Sequence, residues 1–159
     1  MTVQVCDGVA SITAGDVLLT LWAEPAREAR IRHVTRVATD FLARTEGSIV
    51  AAQFLLPSAG PPRWSERAAI QEGIDLVFPR ARRLVTTPLG DAAWQAVVRG
   101  VMRIGVTVLG KARVVKIAAS PAEAMGHLLE ARSPLTPPER ELDAALGALS
   151  EALGAPLRP

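Results

Sequence analysis

Residues 82–130 read RRLVTTPLGDAAWQAVVRGVMRIGVTVLGKARVVKIAASPAEAMGHLLE, and their apolar positions change period three times. Leu84-Val85-Thr86-Thr87 is a short run of strand formers. Gly90-Asp91 then opens a helical pattern with Trp94, Val97, Val98, Val101, Ile104 and Val108 on its inner face, and Gly110 stops it. Residues 112–118 are strand-like again. Ser120-Pro121-Ala122-Glu123 is a capping box with proline at the first helical position, so a helix starts there and buries Ala124, Met125 and Leu128. Strand, helix, strand and helix in this order imply parallel strands joined by crossover helices.

The same alternation continues toward the N-terminus. Val17-Leu18-Leu19-Thr20-Leu21-Trp22 and residues 48–56 are continuous apolar runs, as expected of strands covered on both faces. Pro25 begins a helix between them, with Ile31, Val34, Val37, Ala38, Phe41 and Leu42 at helical spacing. Residues 57–62 are a proline-rich loop. Ser65 is the expected N-cap of a helix through Val77, with Ile70, Ile74 and Val77 turned inward. At the start, Asp7-Gly8 between short apolar runs signals a hairpin, and Ala14-Gly15-Asp16 signals the next turn. The expected order is β-β-β-α-β-α-β-α-β-α with one appended helix. The fold class is thus α/β: a mixed, mostly parallel sheet with an N-terminal hairpin and helices packed on it. Residues 1–131 form the domain. Residues 132–159 are a proline-rich linker and an amphipathic C-terminal helix, which Thr136-Pro137-Pro138-Glu139 opens with a second capping-box pattern.

Composition narrows the function classes. With 159 residues, 49% hydrophobic and 21% charged, the chain can bury one real core. Its net charge of +2 does not argue for nucleic-acid binding. The charge is segregated: residues 80–116 hold 8 cations and one acid, between two acidic flanks. Cys6 is the single cysteine, so no intrachain disulfide forms and a cytoplasmic setting is expected. No apolar run is long enough to span a bilayer, so no membrane insertion is expected.

On the element order and the 82–130 stretch, the chain resembles the STAS fold, in particular the anti-sigma-factor-antagonist-like group, over roughly residues 2–131. Regulatory members of that family carry an Asp-Ser-Ser-Gly loop with a phosphorylated serine at a helix start. The matching segment here is FLLPSAGPPRWSERA, which places Ser58 near the strand end and Ser65 near the helix start but lacks the Asp-Ser-Ser-Gly sequence. The resemblance implies a docking or regulatory module, and some related domains bind nucleotides or lipids.

The residues themselves point to binding more than to chemistry. His33 and His127 have no metal-ligand spacing around them and read as solvated helix residues, so neither a metal nor a cofactor is expected. Cys6 lacks a basic neighbour and reads as a small strand hydrophobe. Ser58 and Ser65 have no base partner and no nucleophile elbow, so no catalytic residue is assigned. Arg82, Arg83, Arg99 and Arg103 form a candidate anion or partner surface, with Arg99 and Arg103 at i, i+4. Gly100 and Gly105, inside a helix, hint at close approach of something. Leu142, Leu146, Leu149 and Leu153 are spaced 4, 3, 4, a heptad-like stripe that either packs back on the domain or covers a second copy.

Two functional expectations follow. The first is a non-enzymatic, cytoplasmic regulatory or scaffolding module that binds another protein through Ser58, Ser65 and the exposed helix faces, as a homodimer. The second is a small-ligand binder or degenerate enzyme. Its apolar pocket would be lined by Trp22, Phe54, Trp64 and Trp94, with Arg83 or Arg99 anchoring an anionic group. A deep apolar pocket with convergent polar groups favours the second; a filled core with a large exposed patch favours the first.

Overall fold

The computed structural model describes residues 2–108 and 113–157, apart from the side chains of 101 and 103–108. Six strands form one sheet in the order β1 (Gln4–Cys6), β2 (Val9–Ala14), β3 (Val17–Trp22), β4 (Ile49–Leu55), β5 (Ala81–Pro88) and β6 (Val115–Ile117). The first three pair antiparallel and β3 through β6 pair parallel. Asp7 (φ 40°) and Gly8 (φ 82°) both take positive φ in the first turn, as a two-residue hairpin requires.

The parallel half needs three crossovers: α1 (Glu28–Arg44), α2 (Arg67–Val77) and α3 (Ala92–Val108). The strands are added in one direction, so right-handed crossovers bring all three helices to the same face. The opposite face is then free for α4 (Pro121–Glu130) and α5 (Glu139–Leu153). The result is a three-layer α/β/α domain.

Side-chain alternation divides each central strand between the layers. Val17, Leu19 and Leu21 of β3, Val50, Ala52 and Phe54 of β4, and Val85 of β5 join α4 and α5 in one continuous buried cluster. The crossover face is different. Its buried apolar residues fall into two separate clusters, one around Phe41 and Ile49 and one around Trp22 and Ile31.

The α5 stripe is spent inside the chain. Leu142, Leu146 and Leu149 are buried in the large cluster and Leu153 packs against it. Residues 139–153 therefore belong to the same core as the sheet and supply no apolar stripe for a second copy. The helix does not begin as the capping-box pattern suggests. Pro138 holds the N-cap position with no side-chain cap, and Thr136 is engaged elsewhere. At α4 the expectation holds: Ser120 Oγ accepts the Glu123 amide at 3.2 Å, while the Glu123 carboxylate accepts the Ala119 amide at 2.6 Å. At α2 it does not, because a 3-10 turn over Trp64–Glu66 precedes the helix and Ser65 Oγ donates to the Glu66 carboxylate at 2.8 Å. Strand β5 starts earlier than its apolar run suggests, and so contains Arg82 and Arg83.

What ties the α4–α5 connection to the sheet is Asp16, in the β2–β3 turn and fully buried. Its carboxylate accepts Ser133 Oγ at 2.6 Å, Thr136 Oγ1 at 2.8 Å and an Arg82 guanidinium N–H. Arg82 also donates to the carbonyls of Ala131 and Ser48. Next to Asp16, a Cβ on Gly15 (φ 54°) would lie 1.9 Å from the Leu135 carbonyl oxygen, so only glycine lets the 133–136 turn close on the β2–β3 turn. Burial alone would raise the Asp16 carboxyl. The hydrogen bonds from Ser133, Arg82 and Thr136, with the charge of Arg82, outweigh it and hold the group below its usual value.

Two tests follow from this packing. Asp16→Ala leaves a guanidinium and two hydroxyls without their acceptor, and should lower the unfolding free energy in urea by about 3 kcal/mol. Because the folded-state value is depressed, the stability Asp16 contributes is complete above about pH 3.9 and is lost as pH falls toward the folded-state value. The variant should therefore show a flatter acid limb, and an unchanged limb would contradict the clamp. Leu149→Ala should cost about 2–5 kcal/mol with no change in mass by light scattering. A stable variant that instead lost half its mass would place the stripe in an interface.

Candidate functional site: an apolar cavity over a polar row

The gap between the two clusters on the crossover face is a cavity of about 470 Å³. Its floor is Leu18, Thr20 and Trp22 of β3, Ala51, Gln53 and Leu55 of β4, Leu84 and Thr86 of β5, and Val115 of β6. Its roof comes from Ile31, Val34, Thr35 and Ala38 of α1, Ile70, Gly73, Ile74 and Val77 of α2, and Trp94, Val97, Val98 and Met102 of α3. The segment Ala59–Pro62 forms part of the rim. The sequence accounts for the opening. The middle of the floor carries Thr20, Ala51, Gln53 and Thr86, and the roof above carries Thr35, Ala38 and Gly73. These residues are short or polar, so the larger roof side chains described around them leave the middle of the space unfilled.

The polar floor residues are in register. Ser11 pairs with Thr20, Thr20 with Gln53 and Gln53 with Thr86, so four polar side chains form one row across four adjacent strands, and the last three of them line the cavity. Ser11, Thr20 and Thr86 are buried. Ser11 Oγ and Thr20 Oγ1 share a hydrogen bond of 3.1 Å, and Gln53 Nε2 donates to Thr86 Oγ1 at 2.9 Å. The row is therefore two satisfied pairs with unused capacity between them. Beside it, Trp22 is 7% exposed and its Nε1–H is buried with no acceptor among the described residues. Trp94 donates its Nε1–H to the Leu55 carbonyl at 3.4 Å, which fixes its indole at the wall. No charged side chain lines the cavity among the described residues.

This pocket differs in composition from the one expected. Trp22 and Trp94 line it, but Phe54 lies in the core on the other face of the sheet, because β4 turns its even-numbered residues toward α4 and α5. Trp64 is 80% exposed, with the Arg67 guanidinium 4.7 Å above its ring. Neither Arg83 nor Arg99 lines the cavity. Arg83 is half-buried in β5 with no partner for its Nε among the described residues, and Arg99 donates to Gln95 at 3.1 Å. The Arg103 side chain lies outside the described residues. Arg82 is committed to Asp16, and Arg80, in the same basic block, to the carbonyls of Leu42, Thr45 and Gly47 at the end of α1. Two members of the basic stretch, Arg80 and Arg82, are therefore internal wiring.

Ser58 sits in a 3-10 turn over Pro57–Ala59 at the rim, exposed, and donates to the Ala23 carbonyl at 2.6 Å. Ser65 is exposed beyond the Pro61-Pro62 part of the rim. His33 is not simply solvated: it is half-buried on α1 with no partner for Nε2 among the described residues, and burial, then the nearby Arg36, lowers its pKa. His127 lies between Glu123 (3.7 Å) and Glu130 (3.4 Å) on α4. Gly100 has no described atom within 4 Å of where a Cβ would stand, and the surroundings of Gly105 lie outside the described residues. Among the described residues no three His, Cys, Asp or Glu converge as a metal site, and no helix is long and apolar enough to cross a membrane.

Compared with protein-family models, curated proteins and solved structures, the chain matches none.

The row yields a test of its own. Thr20→Val leaves the buried Ser11 hydroxyl without its partner and should cost about 1–3 kcal/mol. Ser11→Ala with Thr20→Val should cost less than the two single changes together. Additive losses in urea denaturation would show that the two hydroxyls are not coupled.

Proposed function

We propose that the protein binds a small, largely apolar ligand in the cavity between the sheet and the crossover helices. The observation that carries this reading is the conjunction of an unfilled apolar volume with a row of polar side chains on its floor. A folded domain of this size ordinarily packs its interior to crystal-like density, and an apolar void forfeits dispersion contacts along its whole lining. Ligand pockets combine such volume, within about 300–1,000 Å³, with a few placed polar groups. The opposite face of the same sheet, closed by α4 and α5 into one cluster, supports the contrast.

The regulatory-module reading keeps one specific support. Trp64, the most exposed large apolar side chain described, stands in the 57–66 segment that also forms the rim and carries Ser58 and Ser65. In that reading the segment is where a protein partner docks, so that cavity occupancy and partner binding meet in one place. The α5 stripe no longer argues for a homodimer.

Binding is tested with the uncharged environment-sensitive dye N-phenylnaphthylamine. The wild-type protein should enhance its fluorescence saturably. Ala51→Phe places a ring on the cavity floor, and should weaken dye binding by about tenfold or more while the melting temperature stays level or rises. A folded Ala51→Phe protein that bound the dye as well as wild type would move the dye, and the proposed site, away from this cavity.

A further inference from the structure

We infer that the cavity selects an uncharged amphiphile: a chain or ring system bearing one hydrogen-bonding oxygen that docks between Trp22 and Gln53, and not a carboxylate, sulfonate or phosphate. This rests on the cavity being a ligand site, and it adds the ligand's chemistry.

Three features carry it. First, the Trp22 indole N–H has no acceptor among the described residues; the side chain is more than nine-tenths buried and lines the cavity, and its N–H meets a ligand oxygen when the ring turns toward the space. A buried donor left unpaired costs about 1–3 kcal/mol, which an oxygen delivered by a ligand would recover. Second, Gln53 uses one end of its amide on Thr86, and the other end has no partner among the described residues. An amide carries both a carbonyl and an NH₂. A hydroxyl or carbonyl on the ligand therefore finds a complementary group at Gln53 as well as at Trp22. Both residues lie on the floor, on neighbouring strands, with Trp22 paired to Leu55 and Thr20 to Gln53.

Third, no described side chain in the lining compensates a charge. An ionised acid enters such a space only with a cation or several donors to replace its hydration. Among the described residues the guanidiniums of the basic stretch are elsewhere: Arg82 and Arg80 are held by Asp16 and by backbone carbonyls, and Arg83 and Arg99 are not in the lining. The anion anchor that the basic stretch suggests is thus replaced by its opposite, a site that discriminates against anions.

The test compares ligands of one skeleton. N-phenylnaphthylamine and its sulfonated analogue, anilinonaphthalene sulfonate, share their rings. Decanol and decanoate share their chain and serve as displacing ligands at neutral pH. The neutral dye should bind at least about tenfold tighter than the sulfonate, and decanol should displace it at about tenfold lower concentration than decanoate. Gln53→Leu and Trp22→Phe should each weaken decanol by roughly three- to tenfold, the value of one hydrogen bond, while binding of the dye, which has no oxygen, changes less. Equal or tighter binding of the charged members by wild type would overturn this selectivity and leave the cavity as a ligand site. No saturable binding of either dye would overturn the ligand site itself.

Discussion

The alternation of side chains along β3, β4 and β5 is the constraint from which the rest follows. Each strand is covered on both sides, so odd and even residues meet different helices. Val17, Leu19, Leu21, Val50, Phe54 and Val85 meet α4 and α5 and are consumed in a closed core. Leu18, Thr20, Trp22, Ala51, Gln53 and Thr86 meet the crossover helices and become the floor of a cavity. A slip of one residue in any strand would exchange the two sets. It would put Thr20 and Gln53 among the leucines of α5 and Phe54 into the open space.

Two polar assemblies sit in this frame, and they differ in how fully they are satisfied. Asp16 is surrounded by three donors from two segments, and its charge is matched by Arg82. It acts as a fastening that brings residues 133–136 onto the β2–β3 turn and so seats α5. The floor row is neutral, paired two by two, and next to an indole N–H with no acceptor. A saturated buried network fixes structure, whereas spare hydrogen-bonding capacity beside an apolar void is what a ligand uses.

Much of the frame is legible in the sequence, because it is written locally. The hairpin follows from Asp7-Gly8, the buried strands from their unbroken apolar runs, and α4 from Ser120-Pro121-Ala122-Glu123. The capping reading fails at Thr136 because the competing partner, Asp16, is 120 residues away and invisible to any local pattern. Charge counts are blind in the same way to the fact that Arg80 and Arg82 are turned to backbone carbonyls and a buried carboxylate. The site is legible only in part. Trp22 and Trp94 are identifiable as large side chains on elements that enclose one face. Phe54 is assigned to the wrong side, since residues 48–56 are read as one continuous apolar run and the single polar residue inside it is passed over. Gln53 is the signal that could have been used. A lone amide inside Val50-Ala51-Ala52-Gln53-Phe54-Leu55 marks the face that needs a polar partner, and counting in twos from it places Phe54 opposite.

The central claim is that the space above Thr20, Gln53 and Thr86 is open and apolar enough to hold a ligand. Xenon enters dry, apolar cavities of this kind in protein crystals without altering the fold. A xenon-pressurised crystal is therefore the most direct measurement. The account predicts xenon between the Gln53 row and the helices α1, α2 and α3. Side chains of α3 packed down onto Gln53 and Thr86, with no xenon bound there, would contradict it.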